Sequence, residues 1–142
     1  MPLEYRSSAT AAGPRDVGLA MKRGLFGRCP QCGEGKLFGR FLKVNASCDH
    51  CGLRLDAHRA DDMPPYIVIM IVGHVVVGLN LMVEQQADWP MWLHFTIWPA
   101  LTLVSALLLI QPVKGALIGY QWALKMHGFD PDAGAAKESA PA

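Results

Sequence analysis

All four cysteines of the chain sit in two copies of one phrase, CPQCG at 29–33 and CDHCG at 48–52. Cys29 and Cys32 lie two residues apart, fifteen residues follow, and Cys48 and Cys51 repeat the pair. A two-residue gap lets one tight turn offer two sulfurs from the same side, and a second such turn completes four ligands around one ion. Zn²⁺ takes four thiolates at tetrahedral corners about 2.3 Å away. Each pair is followed by a glycine, Gly33 and Gly52, able to take a positive φ and turn backbone N–H groups toward the negative sulfurs. The spacing predicts a zinc ribbon with Cys29, Cys32, Cys48 and Cys51 as ligands. A rubredoxin-like iron site uses the same ligands, and transient copper binding is a further alternative. A thiol redox centre needs only one C-x2-C, at a helix N-terminus that lowers the thiol pKa. Here there are two, each followed by a helix-breaking glycine.

Four thiolates leave no open coordination position, so the expected metal is structural and does not activate water. His50, inside the second pair, and His58, just beyond it, read as surface histidines. A module with so thin a core depends on its metal for folding energy.

The elements that position this module are unusually apolar. The chain has 142 residues, of which 51% are hydrophobic and 18% charged. Residues 66–83 and 92–110 contain no Asp, Glu, Lys or Arg. As helices they would be roughly 27 to 29 Å long, the thickness of a bilayer's hydrocarbon core. The expected fold class is therefore a mostly α membrane protein: a two-helix transmembrane hairpin with a small N-terminal β zinc ribbon. Ten Lys and Arg and seven Asp and Glu fall in residues 1–65, three of each sign in 111–142, and two acids with no base in 84–91. The positive-inside rule then puts both termini in the cytoplasm and 84–91 in the periplasm, as expected for a bacterial inner-membrane protein. No apolar h-region precedes the cysteines, so the first span serves as the insertion signal. In a reducing compartment the cysteines stay free of disulfides.

Along the chain, 1–14 reads as a disordered lead and 15–55 as the cytoplasmic zinc-ribbon module. Within that module 15–27 suits a short amphipathic helix weakened by glycines, and the segment between the cysteine pairs a short strand and turn. Residues 56–65 form the membrane entry, where Pro64 and Pro65 suit a helix's first turn. After the spans at 66–83 and 92–110, 111–127 reads as an amphipathic cytoplasmic helix. Val113, Leu117, Tyr120 and Leu124 fall on one face; Lys114, Gln121 and Lys125 fall on the other. It would lie on the membrane surface or pack on the cysteine module. Residues 128–142 read as a disordered tail.

Polar groups within or beside the spans are further candidates. His74 would lie about 13 Å below the outer end of the first span and His94 about 3 Å, too far apart to share a metal. His94 matches Asn80 in depth, and Asn80 suits either His94 or the Phe95 carbonyl that Pro99 frees. His74 lies level with Thr102, a hydroxyl partner that would keep it neutral. Asp61 and Asp62 suit either a cation or the N-terminus of the first span, capping being favoured.

Residues 1–65 carry a formal charge of +3, and a Zn²⁺ held by four thiolates lowers this to about +1. So weak a field argues against nucleic acid as a partner. The bilayer and another membrane protein or complex are the expected partners. No Ser/His/Asp set, phosphate loop or open metal site is present in the sequence, so no enzymatic activity is expected.

The string CPQCGEGKLFGRFLKV, then CDHCG, then ADDMPPY ahead of a span, resembles the bacterial domain-of-unknown-function family 983, over roughly residues 23–127. QPVKG at 111–115 is similar too; Met63 departs from the glycine expected after the acidic pair. The resemblance implies a ribbon with two spans, and hints at an association with cytochrome c oxidase biogenesis. The function expected is an accessory or assembly factor that makes protein contacts at a membrane complex. The alternatives are a copper- or zinc-handling carrier, with His74 or His94 passing the metal on, or a thiol redox protein.

Overall fold

The computed structural model describes residues 15–56, 63–126 and 129. Within them lie α1 (Val17–Leu25), β1 (Phe38–Arg40), β2 (Lys43–Val44), α2 (Met63–Gln86) and α3 (Met91–Ala123). The lead at 1–14, His58, Asp61, Asp62 and nearly all of the tail at 128–142 fall outside the described residues.

α1 begins where Asp16 accepts a hydrogen bond from the Leu19 N–H at 3.2 Å, satisfying a donor that has no partner within the helix. Lys22 and Arg23 occupy its last turn, where cations favour the carbonyl end. β1 and β2 form an antiparallel hairpin, Phe38 opposite Val44 and Arg40 opposite Lys43, with a bulge at Gly39. Asn45 holds the bulge by donating to the Lys36 carbonyl at 3.0 Å.

α2 starts with Pro64 and Pro65 in its first turn, where their missing N–H groups would have had no helical partner. It runs 24 residues, about 36 Å, and α3 runs 33, about 50 Å. Both are long and apolar enough to cross a membrane. They pack as an antiparallel pair, with Pro64, Val68 and Val72, one turn apart in succession, as the buried side of α2. Ile69, Leu103 and Leu108 point outward, an apolar exterior suited to hydrocarbon.

α3 differs from the expectation of a span at 92–110 followed by a separate helix. It continues unbroken through Pro112 to Ala123. A proline removes one N–H and crowds one carbonyl, which packing across the helix offsets. That packing comes from α1, the ribbon's own helix, so the second of the two expected placements holds. The buried face also differs. It comprises Gly115, Ile118, Gly119, Gln121 and Ala123, while Tyr120 is 39% exposed. Gly24 meets Gly115 and Ala20 meets Gly119 so closely that a β-carbon on either α3 glycine would overlap an α1 carbonyl oxygen. Backbone-to-backbone approach, rather than the larger apolar side chains, selects this face.

The ribbon core is continuous with α3. Leu37, Phe38, Leu55, Cys29 and Cys48 pack with Ile118 and Phe129, and Trp122 borders them. Arg15 closes the other end, its guanidinium 4.5 Å from the Trp122 ring centroid and donating to the Trp122 carbonyl at 2.6 Å.

Candidate metal centre

Each cysteine pair sits on its own knuckle, closed at the base by a single bridge: Arg28 with Lys36, and Ser47 with Arg54. In the first, Gly33 N–H donates to the Cys29 carbonyl at 2.9 Å and Cys29 N–H to the Gly35 carbonyl at 2.8 Å. In the second, Gly52 N–H donates to the Cys48 carbonyl at 3.0 Å and Cys48 N–H to the Leu53 carbonyl at 2.9 Å. Gly33 and Gly52 have φ of 75° and 73°, the left-handed conformation expected of them. Their own N–H groups close the knuckles; the donors aimed at sulfur come from their neighbours. Gln31 and Cys32 N–H groups face Cys29, those of Glu34 and Gly35 face Cys32, and that of Leu53 faces Cys51.

The knuckles face each other. Cys29 Sγ lies 3.6 Å from Cys51 Sγ, Cys32 Sγ lies 3.7 Å from Cys48 Sγ, and all four sulfurs fall within 4.8 Å of one another. Four sulfurs about 2.3 Å from a tetrahedral ion would stand about 3.8 Å apart, so the set fits one such ion without rearrangement of the backbone. All four are free thiols, Cys29 and Cys48 being buried. The cluster is able to hold a metal ion, and it is the one grouping of three or more such side chains among the described residues.

The sulfurs differ electrostatically. Burial pushes the Cys29 thiol far above its ordinary range, against the pull of the Cys32 and Gln31 N–H groups. Burial also raises Cys51. Burial pushes Cys32 up too, but the Gly35 and Glu34 N–H groups and its sulfur neighbours outweigh it and bring the thiol down to about 6.

Two supports were not assigned from the sequence. Gly35 lies where a β-carbon would overlap Cys48 Sγ, so the second knuckle closes over a position that has no side chain. The second glycine of CGEG is the sequence signal that could have found it. Arg23 donates from Nη1 to the carbonyls of Pro30 and Gln31, at 3.2 and 2.9 Å, tying α1 to the first knuckle. His50 is exposed, as expected, and its Nε2 lies 2.8 Å from Glu34, linking the two knuckles at the surface.

The candidates in the long helices are not brought to the cysteines. His74 is exposed, and its Nδ1 contacts the Met70 carbonyl at 2.7 Å. The expected pairing with Thr102 does not form; that hydroxyl donates to the Trp98 carbonyl of its own helix at 2.7 Å. A carbonyl one turn back is always within reach, whereas matching depth on two helices does not guarantee facing sides. Asn80 makes no hydrogen bond among the described residues, so neither expected partnership forms. His94 instead lies between Trp98, whose Nε1–H donates to Nδ1 at 2.9 Å, and Glu84, whose Oε1 is 3.3 Å from Nε2. Trp89 adds a tilted ring contact at 5.9 Å. Trp98 lies one helical turn from His94, a spacing that could have flagged this bond.

A family model described as Protein of unknown function (DUF983) matches residues 38–122. The matched stretch begins after Cys29 and Cys32 and includes Cys48, Cys51, all of α2 and α3 as far as Trp122. No curated protein and no solved structure matches the chain.

Proposed function

The chain belongs to the family described as Protein of unknown function (DUF983), which covers more than half of its 142 residues, and we propose that it is a membrane-anchored zinc-ribbon adaptor. In this reading α2 and α3 span the bilayer, with the ribbon and both termini on the cytoplasmic side of a bacterial inner membrane. One Zn²⁺ held by Cys29, Cys32, Cys48 and Cys51 keeps the ribbon folded. The ribbon, docked on the end of α3, presents a fixed surface to a subunit of a membrane complex. A respiratory oxidase under assembly is the complex to which the family resemblance points. The role is accessory rather than enzymatic.

The observation that carries this reading is the closed set of four sulfurs, all within 4.8 Å of one another. A four-thiolate site leaves the ion no place for substrate or water. The sulfur cluster is also part of the apolar core that joins the ribbon to α3. A carrier needs ligands that exchange the ion. Here two of the four are buried, and His74 and His94 are engaged within the long helices.

The test is metal content and free thiols on detergent-purified full chain, before and after a strong chelator. One zinc per chain, with thiols blocked until chelation, is expected. Substoichiometric metal, bound copper, or thiols reactive from the start would overturn the structural role in favour of transport or redox chemistry.

A further inference from the structure

We propose that the ribbon is not suspended above the membrane but is wedged into the headgroup layer of an anionic bilayer by Leu25, Phe26 and Phe41. This rests on the reading that α2 and α3 span the bilayer.

The first observation is where these side chains sit along α3. Leu25 and Phe26, at the end of α1, line a groove with Leu108, Gln111 and Pro112 of α3. The β1–β2 turn reaches the same level, since Lys114 Nζ donates to the Leu42 carbonyl at 3.0 Å. Counted from Met91, Leu108 lies about 26 Å and Lys114 about 35 Å along the helix. With its outer boundary placed at Met91, the start of α3, a hydrocarbon core of about 30 Å ends between them. The ribbon's closest edge is at the boundary between acyl chains and headgroups.

The second observation is what that edge exposes. Phe26 is 69% exposed, Phe41 54% and Leu25 44%, although the ribbon has a closed core of its own. Phe and Leu side chains left uncovered at this depth suit an apolar edge buried at the boundary of headgroups and acyl chains.

The third is charge. Phe41 and Leu42 are flanked by Arg40 and Lys43, both exposed and without an ion pair among the described residues. Residues 17–33 hold Lys22, Arg23 and Arg28 and no acid; residues 35–48 hold Lys36, Arg40 and Lys43 and no acid. An apolar tip between two cations suits a layer with lipid tails below and phosphates above. A protein groove of ordinary composition would not require cations on both sides of this apolar tip, as Arg40 and Lys43 are.

The full chain is reconstituted into vesicles of phosphatidylethanolamine and phosphatidylglycerol, with photoreactive p-benzoylphenylalanine replacing Phe26, Phe41, Leu103 or Asp49 in turn. Zinc content is checked for each. Lipid adducts at 26, 41 and 103, and none at 49, are expected. Adducts at 103 without any at 26 and 41 would overturn the wedge and leave the spanning reading intact. Protein adducts at 26 or 41, whether to a second copy or to another chain, would overturn it as well. Loss of the lipid adduct at 103 would sink the spanning reading itself. Arg40→Gln and Lys43→Gln should each lower the ratio of lipid-adducted to free chain at 41 by roughly fivefold in these vesicles. Neither substitution should have an effect in phosphatidylcholine. An equal fall in both lipids would refute the electrostatic part.

Discussion

Gly24 of α1 and Gly115 of α3 meet backbone to backbone, and a β-carbon on either would overlap the other's carbonyl oxygen. This contact, with the neighbouring approach of Ala20 to Gly119, docks the ribbon's helix on the extension of α3. Gly115→Ala should therefore separate the ribbon from α3 while leaving the α2–α3 pair folded. The cost expected is that of overpacking, about 1–3 kcal/mol. Hydrogen exchange should show lost protection over 17–56 and unchanged protection over 66–105. Unchanged protection throughout would mean that the helices can move apart without undocking.

Gly35 and Gly52 make opposite predictions. Gly35→Ala pushes a methyl group onto Cys48 Sγ, so the purified variant should lose its metal. At Gly52 nothing lies within 4 Å of an added β-carbon, and only the φ of 73° is unfavourable. Gly52→Ala should keep the metal and lose about 1–2 kcal/mol of stability. Metal content by mass spectrometry of the native protein separates the two.

Metal uptake should release protons. At pH 7 the Cys29 and Cys51 thiols, both raised by burial, carry their protons, while Cys32, brought down to about 6, has already lost most of its own. A bound ion requires thiolates, so at least the Cys29 and Cys51 protons must leave. Affinity should then rise with pH, by at least about a hundredfold per unit near neutrality, the slope for two protons. A chelator competition across pH 6–8 reads the slope. A flat profile would mean that the metal-free thiols are already ionised.

Cys29→Ser should remove metal and unfold the ribbon, because Cys29 is both a ligand candidate and a member of the buried core. Metal-dependent folding of this kind costs the whole of the ribbon's stability rather than a fraction of it. The long helices should still insert and keep their circular dichroism. Limited proteolysis, with cleavage confined to residues before 57, would check this.

His94 should exist as one tautomer. Trp98 donates to Nδ1, which leaves the proton on Nε2, facing Glu84. Nitrogen NMR of labelled histidine should show Nδ1 as the acceptor, and Trp98→Phe should let the two tautomers mix. A mixture already present in the unsubstituted chain would mean that the indole bond does not persist.

Much of this molecule was legible in the sequence because the determinants are local. C-x2-C-G dictates a knuckle whatever surrounds it, since two sulfurs and one positive φ are set within five residues. Charge-free runs of 18 and 19 residues dictate long apolar helices, and the Pro64–Pro65 pair suits the start of one. The tertiary structure alone decided how these parts meet. Gly24 and Gly115 look like weaknesses in their helices until each is seen to make room for the other's backbone. Pro112 looks like a boundary until α1 packs across the helix just beyond it. Thr102 matches His74 in depth, but depth does not say which way a side chain faces. Spacing along a chain encodes turns and helices; which backbones can approach within contact depends on both surfaces at once.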